Sequence, residues 1–67
     1  MIPDIDIYRS AKVFIDQHGK AAHLEAMKKE EALLAGGDTE GALVWNRIAA
    51  AIEWMQSPEG EEWETVQ

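Results

Sequence analysis

The sequence predicts an all-α fold, and three observations carry that prediction. Apolar residues return every three or four positions in three separate stretches, the period of a helix. Gly19 and the Gly36-Gly37 pair fall where the first two stretches end, and glycine closes a helix readily because it tolerates the left-handed conformation. Asp38 and the run Ser57-Pro58-Glu59 fall where helices begin, a capping oxygen followed by residues suited to a first turn. Together they predict one small domain over residues 1–67. It has three helices, the second and third paired as an antiparallel hairpin and the first packed across them.

The first helix starts under an Asp4 or Asp6 cap and runs to about His18. Ile7, Tyr8, Ala11, Phe14, Ile15 and His18 share one arc, expected to face the core. Asp6 with Arg9, and Lys12 with Asp16, stand three and four apart on the solvent side, where such pairs contribute a few tenths of a kcal/mol. After Gly19 the second helix runs from about Lys20 to Ala35. Leu24, Met27 and Leu34 form its predicted core line, flanked by Ala22, Ala26 and Leu33, and Glu25 can reach Lys28 and Lys29 outside. His23 and Glu30 fall inside the apolar arc and require partners, because an unpaired buried polar group costs about 1–3 kcal/mol. For Glu30 the candidates are Arg9 and Arg47.

The third helix, residues 38–56, organises the rest. Gly41, Trp45, Ile48, Ile52 and Met55 recur at spacings of four, three, four and three, with Ala42 and Ala49 widening the stripe. Gly41 in its first turn costs up to about 1 kcal/mol relative to alanine, which suggests close approach of the second helix. Leu43, Arg47, Ala50 and Trp54 form a second line. At about 100° per residue, Trp54 stands on the opposite side of the helix from Trp45. Two things can cover that second line: the C-terminal tail folding back, or another protein chain. Residues 57–67 form an acidic tail or a short fourth helix from Pro58 to about Thr65, which persists only if Trp63 docks.

Sixty-seven residues build a core worth roughly 3–5 kcal/mol, and without cysteine no disulfide or thiolate-bound metal supplements it. Self-association is the obvious supplement. The longest apolar run, residues 48–52, is far short of the roughly 18 residues of a membrane span. The start, MIPDIDIYR, carries acids where a signal peptide has bases, so the expected compartment is the cytoplasm. The net charge of −7 is uneven. Glu59, Glu61, Glu62 and Glu64 supply four of the charges, and the remaining residues carry an ordinary mixed surface. There is no Lys/Arg stripe to displace counterions, which argues against nucleic acid; a helix-turn-helix reader would have Arg47 alone against Glu40 and Glu53.

Tyr8-Arg9, His18-Gly19, Gly37-Asp38 and Trp45-Asn46-Arg47-Ile48 are the residues through which the chain resembles a family of short helical proteobacterial proteins. That family shares an aromatic-Arg pair, an HG stop, a GD turn and a W-x-R-I helix. The resemblance covers about residues 4–56 and implies a helical fold with no assigned activity.

Chemistry has little material. His18 and His23 are the only histidines, and neither HExxH nor ExxH occurs, so a metal or small-ligand site would be assembled from His18, His23 and Glu30 across a turn. Ser57 and Thr39 are explained by a cap and a first turn, and Ser10 lies off the core arc. Glu30 and Glu31 are adjacent and point apart, which makes a poor acid–base pair. No catalytic residue, cofactor or metal is expected. The expectation is a protein-interaction module, a homodimer or a small accessory protein, contacting its partner through Leu43, Arg47, Ala50 and Trp54. The alternatives are the His18, His23 and Glu30 site, and an acidic inhibitor of a basic protein acting through the tail.

Overall fold

The computed structural model describes residues 4–57, which form an all-α structure with no strand among them. Helix α1 spans Asp4–His18, a 3-10 turn Gly19–Ala21 follows, and α2 and α3 span Ala22–Ala35 and Thr39–Met55. Asp6 therefore lies inside α1 rather than capping it, and α2 begins two residues later than its pattern suggested. Gly19 has φ +57°, the left-handed value that permits the break after His18. The proposed fourth helix and Trp63 lie outside the described residues.

One residue both closes α2 and opens α3. Gly37 takes φ +85°, its N–H donates to the Leu34 carbonyl at 3.0 Å, and the Asp38 N–H donates to the Leu33 carbonyl at 2.8 Å. That pair of hydrogen bonds is the glycine-terminated helix end that satisfies otherwise orphaned carbonyls. The Asp38 carboxylate then accepts from the Gly41 N–H at 2.9 Å, capping α3 as expected. The nearest neighbour of Gly41 is its own cap. A Cβ there would lie 2.5 Å from Asp38 Oδ2, so the glycine makes room for the capping carboxylate. Asp38→Ala is expected to cost about 1 kcal/mol of stability. In a Gly41→Ala background the same change should cost much less, because the Cβ has already displaced the carboxylate. A double-mutant cycle by thermal melting checks this.

At the other end of α3, the Gln56 N–H donates to the Ile52 carbonyl at 2.9 Å and the Ser57 hydroxyl to the Trp54 carbonyl at 2.5 Å. Gln56 Nε2 also donates to the Gly19 carbonyl at 3.0 Å, tying the end of α3 to the turn between α1 and α2.

The core joins Ile7, Ala11 and Phe14 of α1, Ala22 and Ala26 of α2, and Ile48, Ala49, Ala51 and Ile52 of α3. Five of these nine are alanine. The few large side chains therefore carry most of the apolar burial, at roughly 1.5–3 kcal/mol for a fully buried Ile or Phe. On α1 the expected arc is half right: Ile7, Ala11 and Phe14 are buried and Ile15 partly so, but Tyr8 and His18 are exposed. On α2 the expected flank is buried or half-buried and the expected core line is not. Leu24, Met27 and Leu34 are 55%, 41% and 51% exposed, while Ala22 and Ala26 are fully buried. The helix is turned so that its smallest residues meet Phe14, Ile48 and Ile52, and its large apolar line faces outward.

Candidate protein-interaction surface

The polar residues of the α2 arc are satisfied along the seam with α3. His23 Nε2 lies 3.4 Å from Glu53 Oε2, and Asn46 Nδ2 donates to the two Glu30 carboxylate oxygens at 3.3 and 3.5 Å. The partner of Glu30 is thus an amide of α3, neither Arg9 nor Arg47. Outside the seam, Lys28 Nζ lies 3.4 Å from Glu25 Oε1, whereas Lys29 sits 5.4 Å from the centre of the Trp45 ring. Neither Asp6–Arg9 nor Lys12–Asp16 forms an ion pair. No described side chain leaves a buried nitrogen or oxygen without a partner.

His18, His23 and Glu30 are not brought together. The His18 ring lies over Phe14, centroids 4.2 Å apart, where it shields an edge of the core. His23 and Glu30 are occupied by Glu53 and Asn46. Among the described residues no group of three His, Cys, Asp or Glu stands where it could hold a metal ion.

The second line of α3 does gather on one surface. Leu43, Arg47, Ala50 and Trp54 are all exposed, Leu43 to 55% and Trp54 to 40%. Trp45, across the helix, is half-buried with its ring centre 5.2 Å from that of Phe14. The two tryptophans of α3 thus divide between interior and surface as the 100° rotation per residue requires. Tyr8 of α1 meets Trp54 edge-on, centroids 6.3 Å apart. This contact borders two adjoining grooves. One, of about 340 Å³, is lined by Ile7, Tyr8, Arg47, Ala50, Ala51 and Trp54; the other, of about 410 Å³, by Ile5, Tyr8, Trp54 and Met55.

Three of the four expected contact residues therefore line one groove. No protein-family model, curated protein or solved structure matches the chain. Its surfaces are read from their own geometry.

Ile5 and Tyr8 belong to this surface and were missed from the sequence. The apolar pattern places Tyr8 in the core arc of α1, yet it lies on that arc's margin, where its phenol can remain wet while the ring meets Trp54 edge-on. Its hydroxyl was the available signal.

Among the described residues, no helix is long and apolar enough to cross a membrane. The acidic residues Glu59, Glu61, Glu62 and Glu64, on which the inhibitor alternative rests, lie outside the described residues.

Proposed function

We propose that the chain is a cytosolic protein-interaction module, a small accessory protein that docks another chain through the outer line of α3. Leu43 and Trp54 supply the apolar contact, Ala50 leaves room for close approach between them, and Arg47 is the polar element. One observation carries this reading: four residues at spacings of four, three and four, three of them apolar and the fourth Arg47, form an exposed line on the side of α3 turned away from the core. Arg47 makes no ion pair with any described residue, and a partner carboxylate is the group it would engage. Clustered exposed apolar side chains of this kind mark interaction surfaces more often than single ones do.

The module's frame is a three-helix domain built on an antiparallel hairpin of α2 and α3. His23 meets Glu53 while Glu30 meets Asn46, so movement forward along α2 is movement backward along α3. A three-residue connection between the helices supports the same arrangement. The proteobacterial family resemblance fits this frame. Of its motif positions, Gly19 and Gly37 make turns, Asp38 caps α3, and Trp45 packs on Phe14.

Trp54→Glu in the full chain is the direct test. Partner capture should be lost, with helix content by circular dichroism nearly unchanged. Unfolding of the variant would place Trp54 in the core and remove the docking reading.

A further inference from the structure

The outward line of α2 has a pattern that the docking surface on α3 does not use. Leu24, Met27, Glu31 and Leu34 of α2 stand at spacings of three, four and three, a coiled-coil seam, and Lys20 precedes it in the 3-10 turn, so that the apolar pair Leu24 and Met27 is bracketed in sequence by opposite charges. All five are exposed. The neighbouring cations are occupied, Lys28 by Glu25 and Lys29 by the Trp45 ring, but Lys20 and Glu31 form no ion pair with any described residue.

We propose that this seam is a self-association surface, on which α2 pairs antiparallel with α2 of a second copy about a two-fold axis. Leu24 then packs on Met27 of the second copy, and Lys20 stands opposite Glu31 of the second copy; the symmetry supplies each contact twice. The charges choose this arrangement. A parallel pairing sets Lys20 against Lys20 and Glu31 against Glu31. An antiparallel register displaced by one heptad pairs Leu24 with Leu34 of the second copy, but it sets Met27 against Glu31 and Lys20 against Asp38, whose carboxylate already caps α3. The charge order also runs against the helix dipole, with a base ahead of the first turn and an acid near the last. Within one chain this order is unfavourable, and the antiparallel copy compensates it at both ends. The pairing is independent of the α3 line, which belongs to another helix.

Sedimentation equilibrium on the full chain tests it. The native chain should dimerise, and Lys20→Glu or Glu31→Lys should each weaken the dimer about tenfold or more, since each reversal replaces two attractions with two repulsions. Both reversals suit the dipole of α2, so neither should weaken the dimer by unfolding the helix. The double exchange, Lys20→Glu with Glu31→Lys, should restore the native dissociation constant to within about threefold. A native chain that stays monomeric at every concentration overturns the proposal, as does a double exchange that fails to restore. A dimer lost in Trp54→Glu but unmoved by Lys20→Glu also overturns it, while supporting the α3 line as the contact between copies. A monomer destabilised by Leu24→Glu would assign the α2 seam to another part of the same chain and overturn the pairing too.

Discussion

Ile52→Ala is expected to leave the chain largely unfolded at room temperature. Ile52 is the largest fully buried side chain among the described residues and sits where α3 meets both other helices. Truncating a buried isoleucine costs about 2–5 kcal/mol, the lost transfer energy plus the cavity left behind. A domain of this size has roughly 3–5 kcal/mol in all, so the substitution removes most of it. The alanine-rich surroundings sharpen the effect, because Ala22, Ala26 and Ala49 have no rotamers with which to fill the space. Circular dichroism should show little cooperative melting. By contrast, Leu43→Ala on the outer side of the same helix should stay within about 0.5 kcal/mol of the native chain. A cooperative Ile52→Ala transition within a few degrees of native would mean that the core lies elsewhere.

The backbone punctuation was legible in the sequence because it depends on single residues. Gly19 and Gly37 adopt the positive φ that a Cβ resists, and Asp38 caps α3 with the short carboxylate that the position favours. The two sides of α3 were legible because Ile48, Ile52 and Trp45 are large and strictly periodic, which leaves Leu43, Ala50 and Trp54 on the outside. What could not be read was anything requiring knowledge of a neighbour. Glu30 found Asn46 rather than an arginine, and Gly41 answers first to Asp38 three residues before it, a contact set by cap geometry.

The proposed interaction surface was half legible for the same reason. Arg47, Ala50 and Trp54 belong to one helix, and their common side follows from the helical repeat. The other wall of the groove comes from Ile5 and Tyr8 of α1, whose approach to Trp54 is a tertiary fact without a periodic signal.

The turn of α2 about its own axis is the largest departure from the sequence pattern, and it makes a pair of predictions with opposite signs. A reading by hydrophobicity buries Leu24 and exposes its alanines to substitution. The structure requires the reverse: Ala26→Leu should destabilise by about 1–3 kcal/mol or more, because three extra carbons must enter a fully closed contact with α1 and α3. Leu24→Ala, measured in dilute solution, should change stability by no more than about 0.5 kcal/mol. Hydrophobic pattern misjudges α2 because it scores each face alone, whereas packing scores the fit between faces. Helices α1 and α3 already bring Phe14, Ile48, Ile52 and the edge of Trp45 to the centre, so only small side chains can complete it at close-packed density. The polar flank reinforces the choice, since burying the Leu24 line would swing His23 and Glu30 away from Glu53 and Asn46. Thermal melts of the two variants decide between the faces. A large loss in Leu24→Ala with a neutral Ala26→Leu would reverse the orientation of α2 and expose the surface now closed.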